Sequence, residues 1–542
     1  MMPSLLLCLI LFSPSVQIGA EQPLTTAEAS GFTATSTYED VLDFIQIIQK
    51  KSSFIRVETL CVSTEKRPVP LLIIGNPPPS SPRDLKQDDR AVIYIQANIH
   101  AGEVEGKEAS LMMIRDILLT QDPPYLDGLV LLVCPIFNAD GNERISPENR
   151  QNQVGPEKGV GIRYNGQNLD LNRDGMKMES PEVQGLVENV LNRWDPVLLV
   201  DCHTTNGSYH AEPVTYIWPL NPNGNTSIIH YMREKMMPSI QKDLKERYDT
   251  LSIPYGNFID FKNPEKGWRS AGAQPRFITN YIGLRNRMAI LNENYAYADF
   301  KTRVWGCYHF LLSILEFCSE HKDEISNLAI QADRETIQKG QTPSEKDLFG
   351  LTYSLLPLEE PVTILGWEME VLPSDNPWPR VRKTDKERIY TIPYHVDVVV
   401  DRSIRYPYGY LISVQDLDIT SKLLQHGLLI EQLLQPATLE VESYIIQEIK
   451  GASRIYQGHR VNTVKGEYSL QSVDFPKGTL FVPTAQPLGN LAAYLLEPES
   501  DDGLLVWNFF DRYIVHQWSR DPQTYPVHRL LEPAAMVKEV LR

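Results

Sequence analysis

Short, continuously apolar runs alternate with helical patterns between about Tyr38 and Ser319, and this alternation limits the fold more than any other feature of the chain. The runs are rich in β-branched residues and have the length of buried strands. They are VPLLIIGN (69–76), AVIYIQANIH (91–100), LVLLVCPIF (129–137), VLLVDCH (197–203) and MAILNE (288–293). Strands that alternate with helices predict an α/β domain, with a mostly parallel mixed sheet flanked by helices.

The chain changes character after Gly350. Short apolar runs are separated there by Pro, Gly, Asp and Asn, which is typical of a smaller β-rich domain. One helical stretch is expected near Ser421–Gln432. We therefore predict an α/β domain over 21–325, which carries the candidate site described below, a polar linker over 326–350 and a β-rich accessory domain over 351–542.

Composition excludes several classes of function. The 542 residues include 52 Lys and Arg against 69 Asp and Glu, a formal net charge of −17, so a nucleic-acid partner is not expected. With 42% hydrophobic residues and that length, two or three globular domains are expected. Beyond the N-terminus, no segment has the uninterrupted apolar length of a membrane span.

The first twenty residues differ from the rest of the chain. Leu5 to Phe12 is a continuous apolar run, and Ile18-Gly19-Ala20 resembles a small-residue cleavage site. Residues 1–20 are therefore interpreted as a signal peptide, and we expect the mature protein to be secreted or periplasmic.

Three of the predicted strands end in residues that can hold a metal ion or move a proton. His100 and Glu103 follow the second run, His203 ends the fourth and Glu293 ends the fifth. Ligands bind at the carboxyl ends of the strands of an open parallel sheet, so these residues are expected to converge. Two imidazoles and a carboxylate form a three-ligand zinc site with an open position for water. A carboxylate that is not a ligand, such as Glu293, could then act as general base.

The order of motifs around these residues resembles that of the funnelin-type zinc metallocarboxypeptidases. The family pattern is His-x-x-Glu, an Asn-Pro-Asp-Gly-like turn, an arginine, Asp-x-Asn-Arg, a His after a strand and a Glu after the last strand. The chain has, in this order, His100/Glu103, Asn138-Ala139-Asp140-Gly141, Arg150, Asp170-Leu171-Asn172-Arg173, His203 and Glu293. The resemblance covers about residues 30–320 and says little about 350–542.

The resemblance implies a role for each matching residue. His100, Glu103 and His203 would bind one Zn²⁺ per chain, and Glu293 would activate a water and later protonate the leaving amine. Asn172 and Arg173 would bind the free C-terminal carboxylate of a peptide substrate. Arg150 would stabilise the oxyanion, and Asp170 would orient His100.

Several positions stay open. Arg144 or Arg163 could take the role given to Arg150, and either Arg276 or Ile278 could form the floor of the side-chain pocket. The family's substrate-capping tyrosine has no clear counterpart, because Tyr281 aligns better with a structural tyrosine.

The resemblance thus predicts a zinc-dependent metallocarboxypeptidase. The alternative is a murein-peptide amidase or an N-acyl amino acid deacylase that uses the same zinc site. A non-catalytic binding protein is disfavoured because all three ligands and the base are present.

Overall fold

A mixed eight-stranded sheet organises the first half of the protein, in a computed structural model that describes residues 22–205, 207–373, 380–514 and 523–541. The predicted signal peptide, residues 1–20, lies outside the described residues. The strands of this half are β1 (Ile55–Val62), β2 (Pro68–Ile74), β3 (Ala91–Ala97), β4 (Leu129–Cys134), β5 (Leu198–Thr205), β6 (Val214–Ile217), β7 (Ser252–Pro254), β8 (Asn257–Phe258), β9 (Trp268–Arg269) and β10 (Met288–Tyr295).

The order of strands in this sheet is β1-β2-β4-β3-β5-β10-β6-β7. The four central strands β4, β3, β5 and β10 are parallel, and β1, β2 and β6 add antiparallel pairs at the sides. All five predicted apolar runs are strands of this sheet. The fully buried centre of the sheet consists largely of β-branched and other aliphatic residues, which buried parallel strands favour.

Helices cover the sheet, as the α/β prediction required. They are α1 (Thr26–Ala29), α2 (Tyr38–Lys51), α3 (Glu105–Leu118), α4 (Ala139–Asn142), α5 (Pro181–Leu186), α6 (Asn192–Trp194), α7 (Thr226–Tyr231), α8 (Met237–Tyr248), α9 (Ile278–Leu284), α10 (Phe300–Glu320) and α11 (Lys322–Gln341). Helix α5 begins as expected, with the Ser180 hydroxyl accepting a hydrogen bond from the Val183 N–H and Pro181 in the first turn. Residues 143–170, between α4 and the short 3₁₀ turn Leu171–Arg173, contain no regular helix or strand, which agrees with the predicted loop region.

The remaining strands confirm a β-rich C-terminal region. They are β11 (Leu348–Pro357), β12 (Val362–Leu372), β13 (Arg380–Ile392), β14 (Tyr394–Arg405), β15 (Gly409–Ile412), β16 (Glu431–Leu433), β17 (Ala437–Gly451), β18 (Asn462–Phe475), β19 (Leu480–Pro483), β20 (Gln523–Leu530) and β21 (Lys538–Val540). They form a seven-stranded sheet, a β12–β13 ribbon and a four-stranded sheet in which β11 and β14 join β8 and β9. Three helices complete the region: α12 (Leu417–Gln425), α13 (Gly489–Leu496) and α14 (Asp511–Ile514).

Two local expectations differ from the structure. The helical stretch expected near 421–432 begins earlier, at Leu417, because the Asp416 carboxylate caps the N–H groups of Asp418 and Ile419. GLLVWNFF (503–510), one of the short apolar runs after Gly350 that were expected to be β-rich, consists of turns, and its Asn508 has a φ of 70°, a left-handed conformation that a strand does not contain.

The segment 326–350, expected as a linker, is occupied mainly by α11 and the start of β11. The buried residues of α11 recur at helical spacing and most of them are small, which a search for large apolar residues misses: Ile325, Ala329, Ala332, Thr336 and Gly340. The division into domains stays a prediction, and one hydrophobic cluster contains residues from both the eight-stranded sheet and α13. Within the described part of the chain, every helix is too short or too polar to cross a lipid bilayer.

The contact between α3 and β5 gives a test of this packing. An added Cβ at Gly106 would lie 2.4 Å from the Cβ of Cys202, so Gly106→Ala should destabilise the protein by about 1–3 kcal/mol despite the higher helix propensity of alanine. Thermal unfolding followed by fluorescence checks this expectation. Gly306→Ala in α10 is the matched control, since its nearest neighbour is a Val214 methyl group at 3.2 Å that can give way. Equal melting temperatures for the two variants would contradict the packing described here.

Candidate metal centre

The predicted ligands come from two adjacent strands of the sheet. His100 and Glu103 lie in the turn between β3 and α3, where the Glu103 N–H donates to the His100 carbonyl at 2.9 Å. The left-handed Asn98, with φ of 67°, begins this turn and donates its side-chain amide to the Ala101 carbonyl. His203 lies within β5. The β3–β5 pairing brings the turn and His203 to the same end of the sheet.

Three potential ligand atoms converge, and all three residues are buried. The Nδ1 atoms of His100 and His203 lie 3.2 Å apart. Each Nδ1 also lies 3.0 Å from one carboxylate oxygen of Glu103, Oε1 for His100 and Oε2 for His203. These are the three residues that the sequence predicted as ligands.

A carboxylate lies behind each imidazole. His100 Nε2 is 3.0 Å from Asp170 Oδ1, and His203 Nε2 is 2.8 Å from Asp201 Oδ2. A metal-binding histidine usually donates its second N–H to such a partner, which fixes both the tautomer and the ring orientation. Asp170 therefore lies where the resemblance implied, and Asp201 makes the corresponding contact to His203 at ion-pair distance, without hydrogen-bond geometry.

Glu103 is held in place from several directions. Its Oε2 accepts a hydrogen bond from the Thr204 N–H at 2.9 Å, and its Oε1 accepts one from Arg150 at 3.0 Å. Burial alone would raise the pKa of Glu103, but the charges of His100 and Arg150 keep that pKa well below its usual range. The carboxylate is thus kept ionised, as a metal ligand must be.

The donor set fits zinc. Two imidazole nitrogens and one carboxylate are a common protein contribution to a catalytic zinc site with one open position. Ligand atoms bound tetrahedrally at zinc distances lie roughly 3.3 Å from one another. The separations of 3.0 and 3.2 Å between the donors are close to that value.

Glu293 faces this group from the neighbouring strand. It lies in β10, and the parallel register pairs it with His203 on β5. Its side chain lines the same cavity as His100 and Glu103. Burial, with a smaller contribution from the charge of Glu103, raises the pKa of Glu293 to about 8, although His203 opposes the shift. A raised pKa makes a carboxylate a better proton acceptor.

The cavity has a volume of about 380 Å³, and its wall has a charged and an apolar part. Asn172 and Arg173 line the charged part, together with the residues described above. Arg173 lies 4.4 Å from the centre of the Phe277 ring, and the Asn172 amide oxygen accepts a hydrogen bond from the Ile278 N–H. The apolar part includes Ile217, Trp218, Leu220 and Leu291.

The three arginines that are candidates to stabilise the oxyanion differ in their positions. Arg144 is half exposed, pairs with Glu65 and does not line the cavity, whereas Arg150 and Arg163 both do. Arg150 donates to Glu103 and to the Thr204 carbonyl, and its stem lies over Gly102, where a Cβ would be 2.5 Å from Arg150 Cδ. Arg163 donates to Asp170 at 2.8 Å. The role given to Arg150 stays a prediction, with Arg163 as its competitor.

Neither candidate for the pocket floor lines the cavity. Arg276 turns to the C-terminal region, where Asp502 Oδ2 accepts a hydrogen bond from its Nε at 3.1 Å, and Ile278 is buried in α9. Thr279 and Asn280 line the cavity instead. The residue at the pocket floor stays open, and Arg276 is held away from the cavity by a carboxylate that is distant in sequence.

Sequence reasoning missed one tyrosine. Tyr255, between β7 and β8, lines the cavity, and burial with the nearby charge of Glu293 raises its pKa. No motif surrounds it, and only the three-dimensional structure brings it to the site. Tyr281 lies away from the cavity in contact with His426 and Arg285, which agrees with a structural tyrosine.

Comparison with known families confirms the resemblance. Residues 41–216 match the family model described as zinc carboxypeptidase. This range contains the three potential ligands and the residues 170–173, and it ends before Glu293. No curated protein matches the chain.

Solved structures with similar chains include three carboxypeptidases, each with a TM-score of 0.39. A metallo-carboxypeptidase from Burkholderia cenocepacia is 16% identical and covers 53% of this chain and 70% of its own. One from Pseudomonas aeruginosa, in complex with (2-guanidinoethylmercapto)succinic acid, is 18% identical over 54% of this chain and 70% of its own. A carboxypeptidase A from Helicoverpa armigera is 14% identical over 54% and 75%.

The two aspartates behind the imidazoles give a test of the metal centre. Loss of such a partner typically weakens metal binding by about 10–100-fold, so Asp170→Asn and Asp201→Asn should each lower the affinity for Zn²⁺ by about that factor. Titration of the apoprotein against a chelator of known affinity checks this. The matched control is Asp260→Asn, since the Asp260 carboxylate lies in a loop and pairs with Lys266. Wild-type affinity in both test variants would contradict the arrangement.

Proposed function

We propose that this chain, whose residues 41–216 belong to the zinc carboxypeptidase family, hydrolyses the C-terminal peptide bond of peptides that bear a free carboxylate. One observation carries the proposal. His100 and Glu103 of the buried His-Glu-His group line one cavity together with a carboxylate of raised pKa and an adjacent Asn-Arg pair. His100, Glu103 and His203 would hold one Zn²⁺.

Arg173 and Asn172 are suited to bind the terminal carboxylate. A guanidinium presents a planar fork that matches a carboxylate, and contact with the Phe277 ring limits the rotation of Arg173. The oxygen of the Asn172 amide already accepts from Ile278, so its NH₂ group is the part that remains to donate. Substrates without a free carboxylate would lose both interactions.

The proton transfers fall to Glu293. Bound zinc would polarise the scissile carbonyl and lower the pKa of a water at its open position. Glu293 would take a proton from the attacking water and give it to the departing amine nitrogen. The positive charge of Arg150 or Arg163 would stabilise the negative oxygen that develops in the transition state.

The apolar wall of the cavity supports a preference for peptides that end in an apolar side chain. The residues of this wall, which include Ile217, Trp218, Leu220 and Leu291, carry no formal charge.

Glu293→Gln should separate proton transfer from metal binding. The amide has nearly the same shape but cannot accept the proton, so kcat should fall by about 10²–10⁴-fold. Steady-state kinetics, together with metal analysis of the same sample, checks this. The zinc content should stay at the wild-type value. An unchanged kcat would show that Glu293 does not transfer the proton.

Arg173→Ala should distinguish substrates by their C-terminus. Loss of the carboxylate contact should raise KM and lower kcat/KM for free-acid peptides far more than for the same peptides with an amidated C-terminus. The exposed Arg144, which lies outside the cavity, supplies the control variant Arg144→Ala. Equal losses on both kinds of peptide would refute the proposed clamp.

A further inference from the structure

We infer that the β-rich C-terminal region completes the active site, and that Gln457 is a positioning residue acting through Asp170. This inference rests on the proposed function. We call residues 170–179 the clamp loop, because it begins with Asp170 and carries Asn172 and Arg173. The hairpin formed by β17 and β18 ends in a turn, Tyr456–His459, that contacts this loop.

The central contact joins the tip of the hairpin to the first residue of the clamp loop. Gln457 Oε1 accepts a hydrogen bond from the main-chain N–H of Asp170 at 2.9 Å. This hydrogen bond is partly buried and lies where the hairpin meets the clamp loop. The contact fixes the backbone at the residue whose carboxylate lies behind His100.

The carboxylate of Asp170 contacts three parts of the site. Its Oδ1 lies 3.0 Å from His100 Nε2 and accepts from the Asn172 N–H at 3.1 Å. Its Oδ2 accepts from Arg163 at 2.8 Å. A shift of the Asp170 backbone would therefore move a zinc ligand, the carboxylate-binding asparagine and one of the two candidate arginines together.

The geometry of the turn singles out Gln457. Tyr456 and His459 form a two-residue hairpin closure, and Gln457 and Gly458 between them have φ of 51° and 84°. Positive φ at both central positions is a type I′ turn, in which Asn, Asp or Gly is strongly preferred at the first position. A glutamine there is strained, and such strain is retained where the side chain has a use. Its longer side chain reaches Asp170.

Three further contacts hold the rest of the clamp loop. His426 Nε2 donates to the Met176 carbonyl at 3.0 Å, and Lys422 Nζ donates to the Met178 carbonyl at 2.8 Å. His459, in the same turn as Gln457, lies 2.9 Å from a carboxylate oxygen of Glu179. Four side chains of the C-terminal region thus contact a loop of ten residues.

The turn is itself anchored beside the site. The Arg276 guanidinium lies 5.7 Å from the centre of the Tyr456 ring and 5.3 Å from that of Trp507, and it pairs with Asp502. This arginine is one of the two candidates for the pocket floor. Its engagement with the C-terminal region explains both its absence from the cavity and the fixed position of the hairpin tip.

Two substitutions of Gln457 separate positioning from packing. Gln457→Asn suits the left-handed turn better than glutamine but is one methylene too short to reach Asp170. Gln457→Glu keeps both the length and an acceptor oxygen. The exposed Arg454, on the same hairpin, supplies the control variant Arg454→Ala.

In the full-length protein we expect Gln457→Asn to melt at or above the wild-type temperature. Its apoprotein should bind Zn²⁺ about tenfold more weakly, as expected for a disturbed ligand partner, and its KM for free-acid peptides should rise. Gln457→Glu and Arg454→Ala should match the wild type in zinc affinity and in KM. A purely structural role would change the melting temperature without this selective loss.

The inference would be overturned if Gln457→Asn bound zinc within twofold of the wild type, or if Gln457→Glu lost as much affinity as Gln457→Asn. The zinc titration does not depend on peptide hydrolysis. If the wild type binds zinc but cleaves no peptide, the proposed function fails, and the titration still decides the role of Gln457.

Discussion

Several ionisable side chains are buried together at one end of a parallel sheet, and the rest of the site depends on how their charges are balanced. Glu103, Asp170 and Asp201 surround the imidazoles of His100 and His203. Buried charges are costly unless they are paired and hydrogen-bonded. A divalent cation between the two Nδ1 atoms and Glu103 would supply the missing positive charge. The sheet, the clamp loop and the arginines are then the scaffold that holds this charge cluster in one arrangement.

The three candidate metal ligands could be predicted from the sequence because each lies in a recognisable strand or directly after one. Continuous β-branched runs identify buried parallel strands, and parallel strands bring their carboxyl ends to one edge. His203 and Glu293 are neighbours for that reason, through the register of β5 and β10. Asp170 was indicated by the resemblance to the zinc metallocarboxypeptidase pattern, since it lies in the motif that carries Asn172 and Arg173.

The loop residues could not be predicted to the same extent. Between Asn142 and Leu171 no periodicity dictates the path of the chain, so sequence could not choose between Arg150 and Arg163, and both reach the cavity. Arg276 stayed a candidate for the pocket floor because its partner, Asp502, is distant in sequence and the pairing could not be foreseen. Tyr255 carried no signal at all. Such long-range pairings decide which side chains face a cavity, and a local pattern does not contain them.

The C-terminal region shows the same limit on a larger scale. Its β-rich character was evident from composition, but the helix α11 was hidden in a polar segment, and nothing in the sequence indicated that a hairpin turn meets the clamp loop. The loop that carries Asn172 and Arg173 is contacted by four side chains of the C-terminal region: Gln457, Lys422, His426 and His459. One hydrophobic cluster also contains residues from both regions.

The most direct test of the central claim is a crystal structure of the zinc-loaded protein with anomalous diffraction measured on both sides of the zinc absorption edge. The account predicts a single strong anomalous peak per chain, coordinated by Nδ1 of His100, Nδ1 of His203 and the carboxylate of Glu103. A fully zinc-loaded crystal with no peak among these three side chains, or with its peak at other residues, would contradict it.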